Sequence, residues 1–176
     1  DFLRGEARAA RALYILGDLF EAWLGDDDPD PAVRAIVAEL RALHDAGVPT
    51  YFMHGNRDFL VGAATLKACG VAALPDPTLL SAWGQRVLLT HGDALCIDDV
   101  AYQSFRSQVR SESWRRDFLL QPLAAREQQA RLMRDASQAS QRHQTAADWV
   151  DVDTAAAVGW MNATGSRDLI HGHTHR

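Results

Sequence analysis

Residues 12–18, Ala-Leu-Tyr-Ile-Leu-Gly-Asp, decide how the rest of the chain is read. An unbroken apolar run with no polar alternation predicts a strand buried on both faces, as in a parallel sheet, and Gly17-Asp18 stops it at a loop. The same pattern recurs downstream. Residues 48–53 stop at His54-Gly55-Asn56-Arg57-Asp58, residues 86–90 at His91-Gly92-Asp93, and residues 168–170 at His171-Gly172-His173-Thr174-His175. Between the first two strands an acidic turn, Gly25-Asp26-Asp27-Asp28-Pro29, leads to Pro31. Proline at a first helical position and apolar residues at Val33, Ile36, Val37, Leu40 and Leu43 predict a helix to about residue 46, which Gly47 ends. Residues 2–11 read as the end of an amphipathic helix, and a short helix is expected up to Cys69. Further strand pieces are expected at 71–74 and 79–83. Strands alternating with helices define an α/β domain with one or more sheets covered by helices.

From about residue 101 to 148 the texture changes. Glycine is absent, no strand pattern appears, and eight arginines face five acidic residues, in a chain whose net charge is −5. This segment reads as a helical insertion within one domain spanning 1–176. The acidic balance argues against a general nucleic-acid binder, which needs a basic surface. Cys69 and Cys96 have neither a disulfide framework nor a zinc spacing, and are expected to be buried thiols. No apolar run approaches a membrane span. Another helix is expected over about 154–162.

Ligands of α/β sheets bind beyond the carboxyl ends of the strands, so the four motifs are expected to converge on one rim. Asp18, Asn56, His91, His173 and His175 would offer a carboxylate, an amide oxygen and three imidazoles. Mn²⁺, Fe²⁺, Zn²⁺ and Co²⁺ all accept such a mixed set, whereas a site for thiolate-bound metals is excluded. Singly, each residue is ordinary: an aspartate after a strand is commonly a cap, an asparagine a turn residue, a histidine a satisfied polar group. Four strand ends carrying such residues together point to a site. Two cations sharing a carboxylate acidify a water and neutralise phosphate oxygens, which is the chemistry of phosphoester hydrolysis.

Gly17-Asp18, Gly55-Asn56-Arg57-Asp58, His91-Gly92-Asp93 and Gly172-His173-Thr174-His175 resemble, in order, consecutive blocks of the calcineurin-like metallophosphoesterases. The longer stretches LYILGDLFEAWLGDDDP (13–29), HGNRDFL (54–60), HGDALCIDD (91–99) and LIHGHTHR (169–176) are similar to one family among them, the UDP-2,3-diacylglucosamine pyrophosphohydrolases of lipid A biosynthesis in Gram-negative bacteria. The resemblance implies a sandwich of β-sheets flanked by helices, with the insertion as a lid. It implies two Mn²⁺ ions, a glycolipid nucleotide substrate cleaved to UMP and 2,3-diacylglucosamine 1-phosphate by water activated at the metals, and peripheral placement on the cytoplasmic face of the inner membrane. It also implies roles. Asp18 would bridge the metals, Asn56, His91 and His173 would complete one, and His175 would ligate the other. Asn56 and Arg57 would meet the phosphates, His173 would be a ligand beside the substrate, and Asp99 and Ser137 would contact the substrate. Trp114, Phe118, Leu119, Leu120, Leu123, Leu132 and Met133 would line an acyl cleft, with the lid arginines facing anionic headgroups, or else these residues pack the lid to the core. His54 and His171 are expected to support ligands or complete strands.

The family opens with a strand ending in Asp-x-His, and the residues before Asp18 hold no such motif, so the chain is expected to be a fragment lacking the first strand and the C-terminal strands. Two other readings stay open at this point. One is a related phosphodiesterase or nucleotide pyrophosphatase with a soluble substrate; the other is an inactive scaffold that kept the fold.

Overall fold

The computed structural model describes residues 1–82, 84–142 and 151–174, without the side chains of 137–142. Two small sheets organise it. In the first, β1 (Leu13–Ile15), β2 (Thr50–Met53) and β3 (Ala72–Leu74) run parallel in that order, Tyr14 opposite Tyr51 and Phe52 opposite Ala73. In the second, β4 (Thr78–Ala82) pairs antiparallel with β5 (Gln85–Thr90), and β6 (Asp168–His171) lies parallel on the far side of β5. The strands expected from apolar runs are therefore present, but they divide between two sheets. β1 differs from expectation in burial: all three of its residues are half-buried. Its Tyr14 ring stacks on Tyr51 of β2 at 4.9 Å, so one face is an aromatic ledge rather than core.

Helix α1 (Pro31–Asp45) starts where Asp30 accepts from the Ala32 amide at 2.8 Å, with Pro31 needing no donor at that position. It buries Leu40 and Leu43 completely; at about 1.5–3 kcal/mol for each side chain, this face fixes the helix to the sheet. Helix α2 (Ala63–Cys69) has Gly62 at its N-cap, with no side-chain bond from that residue. Its start is held from 36 residues away, where Asp26 accepts from the Gly62 amide at 2.9 Å. Asp26 also accepts from the Thr65 amide at 3.1 Å. The amphipathic helix expected over 2–11 is instead two 3-10 turns, Phe2–Arg4 and Glu6–Ala9, because Gly5 between them sits at φ −109°, ψ −101°, outside helical geometry. Cys69 and Cys96 are free and buried, and burial pushes both thiols up to about 11.

After β5 come α3 (Val100–Val109), α4 (Glu112–Leu119) and α5 (Leu123–Arg142), then α6 (Thr154–Thr164) before β6. These helices are not a loosely attached layer. Phe118 is 4% exposed in the cluster that also holds Phe20, Trp23, Phe52 and Leu60, and Trp114 stacks on it at 4.8 Å. Two of the aromatics expected to line an acyl cleft thus pack α4 to the core, while Leu119, Leu120 and Leu132 remain exposed. The arginines divide in the same way. Arg106, Arg110 and Arg126 turn inward rather than toward headgroups.

Arg126 of α5, only 2% exposed, forks onto both carboxylate oxygens of Asp27 and donates to the Leu24 and Gln121 carbonyls. The hydrogen bond from Arg126 holds the Asp27 carboxyl below its ordinary range. Replacing Arg126 by Met is expected to cost about 2 kcal/mol in urea denaturation, since its half-buried carbonyl partners and Asp27 lose a buried donor. Arg131, in an exposed i,i+4 pair with Glu127, should cost less than about 0.5 kcal/mol on the same change. Because Asp27 is depressed in the fold, its contribution is present above the ordinary aspartate range and is lost as pH falls through the folded value. The stability gap between the wild type and Asp27→Asn is expected to close below about pH 4.

Candidate metal centre

Each of the four motifs sits where a strand gives way to a turn, but the turns come from both sheets. Asp18 follows β1 and Asn56 follows β2; His91 follows β5 and His173 follows β6. The expected single rim is therefore a junction between two sheets. One imidazole makes the crossing. Gly172 N–H donates to the His91 carbonyl at 3.0 Å within the second sheet, and the His91 ring reaches the Leu16 carbonyl of the first at 2.7 Å.

The loops approach so closely that two positions must lack a side chain. A Cβ on Gly55 would lie 2.2 Å from Asp18 Oδ1. One on Gly17, whose φ is +86°, would lie 2.5 Å from Gly55 Cα. Asp58, fully buried, ties the same loops together by accepting from the amides of Gly55 at 2.8 Å, Leu19 at 2.8 Å and Phe20 at 3.4 Å. Burial pushes the Asp58 carboxyl above its ordinary range, and the neighbouring Asp18 charge adds to this against those amide donors.

Around this junction the candidate side chains meet. The ligand atoms of Asp18, His91 and His173 all lie within 4.8 Å of one another. Asn56 Oδ1 stands 3.0 Å from His91 Nε2 and 2.8 Å from His173 Nδ1, and Asp18 Oδ1 stands 3.8 Å from His91 Nε2. A carbonyl can only accept, so His91 Nδ1 carries the proton toward Leu16. The Asn56 amide donates to Nε2 of the same ring at 3.3 Å, so Nε2 faces the Asn56 turn and the cluster. A ring nitrogen fixed by a backbone carbonyl, with the other turned to the cluster, is the usual support of a ligating histidine. The only non-glycine residues with positive φ among the described residues are Asp18 (54°) and His173 (64°), both in this cluster. Such backbone strain gathers at functional sites.

Arg57 lies at the open side. Its amide donates to Asp18 Oδ1 at 2.9 Å, its Nη1 to Glu21 at 2.6 Å, and its Nε stands 3.7 Å from Asp18 Oδ2. Asp99 is engaged as the N-cap of α3, accepting from the Tyr102 amide at 2.9 Å. His54, pushed toward its neutral form by burial, faces the Val61 carbonyl with Nε2 at 2.8 Å, and His171 Nδ1 faces the Gly172 carbonyl at 2.9 Å. His175 lies outside the described residues, as does the side chain of Ser137.

Sequence reading passed over the last residue of two motifs. Asp58 and Asp93 were quoted as parts of blocks but given no task, yet both are fully buried acceptors beside the cluster. Tyr102 had no expected role, and Arg106 and Arg110, expected to face headgroups, lie with it on one stripe that their four-residue spacing signals.

No family model matches the chain. It is similar to the UDP-2,3-diacylglucosamine hydrolase of Stenotrophomonas maltophilia (strain K279a), 49% identical over 181 aligned positions that cover 99% of this chain and 73% of the relative. It is also similar to the proteins of that name from Xanthomonas oryzae pv. oryzae (strain PXO99A) and Xanthomonas campestris pv. campestris (strain B100). Each is 50% identical over 182 positions, all of this chain and 74% of the relative. At this identity over the whole chain, the chain belongs to the UDP-2,3-diacylglucosamine hydrolase family.

Proposed function

We propose that the chain hydrolyses the pyrophosphate bond of UDP-2,3-diacylglucosamine in lipid A biosynthesis, giving UMP and 2,3-diacylglucosamine 1-phosphate, as a calcineurin-like metallophosphoesterase. The observation that supports the chemistry is the meeting of Asp18, Asn56, His91 and His173 as electron-pair donors at one junction. The relatives' shared name supports the substrate, and neither a soluble nucleotide substrate nor an inactive scaffold is favoured beside it.

The donor set fits Mn²⁺ or a similar divalent cation. Asp18 would be shared between two ions, Asn56, His91 and His173 would hold one, and His175 the other. When bound, the ions supply a water acidified to a nucleophile and positive charge against the phosphate oxygens. The chain's own groups do the rest. Asp18 is held in place by the Arg57 amide, so its carboxylate does not reorganise during reaction. Arg57, forked and partly exposed, would place its guanidinium against the phosphate nearer uridine, exchanging Glu21 for the substrate. His173 would stand beside the substrate as well as in the ligand set. Asp99 would contact the sugar or nucleotide, and Ser137 would contact the substrate from the helical segment. The departing sugar phosphate is a good leaving group, so no dedicated general acid is required.

No helix among the described residues is long and apolar enough to cross a membrane. Peripheral contact with the cytoplasmic face of the inner membrane would use exposed Leu119, Leu120 and Leu132 with neighbouring Arg116 and Arg131. Charge reversal at Arg116 and Arg131 is expected to weaken binding to anionic vesicles by about 1 kcal/mol per residue, measured by co-sedimentation.

The direct assay is UMP release from UDP-2,3-diacylglucosamine by the full-length protein with Mn²⁺. Release that stops on adding a chelator and is not seen with UDP-glucose is the expected result. Turnover of simple phosphodiesters alone would move the function to another member of the superfamily. Asn56→Ala and His91→Ala should each lower turnover by at least about 100-fold, beyond the loss of an outer partner. Near-normal rates in either would remove that residue from the ligand set.

A further inference from the structure

Tyr102 and Arg106 of helix α3 and Arg110 at its C-cap lie at i, i+4 and i+8, and all three donate to one atom, Oδ2 of Asp93, at 2.7, 2.8 and 3.2 Å. Asp93 is fully buried, two residues beyond His91. Each member of the stripe also reaches a different part of the cluster. The Tyr102 ring stacks on His173 with centroids 6.0 Å apart. Arg106 stands 3.9 Å from Asp76 Oδ2, while Asp76 Oδ1 accepts from the His91 amide at 3.3 Å and from Thr90 Oγ at 2.6 Å. Arg110 Nη2 donates to the Gly55 carbonyl at 3.0 Å, the residue before Asn56. One helix thus touches the turns carrying Asn56, His91 and His173, which come from two sheets.

The arrangement is a poor way to gain stability alone. Three donors crowd Asp93 Oδ2, while Oδ1 and Asp76 Oδ2 are buried with no hydrogen-bond partner among the described residues. Burial pushes the Asp93 carboxyl up, and Arg106 and Arg110 more than reverse this and hold it below its ordinary range. Buried ion clusters of this kind commonly contribute little net stability, and fixing one arrangement against others is their better attested use.

We propose that the Tyr102–Arg106–Arg110 stripe is a positioning device, with Arg110 the residue that sets the distance between the Asn56 turn and the His91 turn. Helix α3 is in this view part of the metal scaffold. Arg110 bonds at once to Asp93 on the second sheet and Gly55 on the first, so its removal lets the turns part and lowers affinity for the divalent cation. The inference rests on the metal-centre reading above.

The test is Mn²⁺ affinity of the full-length protein, followed by the loss of free-ion electron paramagnetic resonance signal on titration. Urea denaturation would be run in parallel. Arg110→Ala is expected to weaken binding roughly tenfold or more, the usual cost of losing a partner behind the ligands. Arg110→Lys, keeping one donor, should recover part of that loss. Tyr102→Phe keeps the ring on His173 and drops one bond to Asp93, so it should bind more weakly than wild type but better than Arg110→Ala. Arg126→Met serves as the control, a buried arginine lost far from the cluster, and should lose stability without a change in affinity. Equal affinity in Arg110→Ala and wild type, or equal loss in Arg126→Met, would overturn the proposal and leave Arg110 a structural residue. If Arg110→Ala does not fold, the Lys and Phe variants decide, and wild-type affinity in both overturns it. Wild-type protein that binds no Mn²⁺, or binds it no better than His91→Ala, would instead remove the metal centre itself.

Discussion

The molecule depends on the contact between two turns, Gly17-Asp18 and Gly55-Asn56, which lie too close for any side chain on either glycine. That contact is held by one carboxylate. Asp58 gathers amides from both turns in a fully buried setting, where a bond to an ionised group is worth roughly twice a neutral one. Burial disfavours the ion, and the bonds favour it. The fold resolves the conflict only if both turns stay in register, so the aspartate acts as a geometric constraint. Everything the candidate centre needs follows from this. Asp18 points at the Arg57 amide, Asn56 points across at two imidazoles, and His91 finds the Leu16 carbonyl at the end of β1.

Bringing a second sheet to the same place solves a problem of capacity. A three-stranded parallel sheet presents few strand ends, and here β1 and β2 supply a carboxylate and an amide. The imidazoles come from β5 and β6, so oxygen and nitrogen donors arrive from opposite sides. Across the junction the His91 ring, Asn56 and Arg110 make the connections, with buried Asp58 and Asp93 gathering donors on either side.

Much of this was legible in the residues. Apolar runs ended by Gly-Asp, Gly-Asn, His-Gly-Asp and Gly-His located β1, β2, β5, β6 and the four side chains that meet, because both local signals are strong: periodicity inside the strand and a glycine at its end. More than one sheet was implied by the family resemblance, but which strands share a sheet was not legible in the strand pattern. Strand pairing is a choice among distant partners, and the antiparallel turn from β4 to β5 leaves the same apolar texture as a crossover. The 3-10 turns near the start were missed because a helical pattern interrupted by Gly5 still looks periodic over a few residues. Phe118 and Arg126 were misplaced for a related reason. An aromatic or an arginine on an amphipathic helix has the same pattern whether its partner is solvent, lipid or the Asp27 carboxylate, and only the packing distinguishes them.

The cap on α2 has a consequence for the order in which the chain assembles. Seven residues are too few to hold a helix in water, where nucleation fixes several residues for each bond gained. Its first amides bond to Asp26, which lies on the far side of α1 and β2 in the sequence. The loop closed by that contact must be formed before the helix gains anything from it, and contacts of long sequence separation are the slow ones. α2 therefore belongs to the late stage of folding, following the docking of the acidic turn instead of guiding it. In the finished molecule the same dependence makes it an early place for local opening, at a distance from the centre that the two turns hold shut.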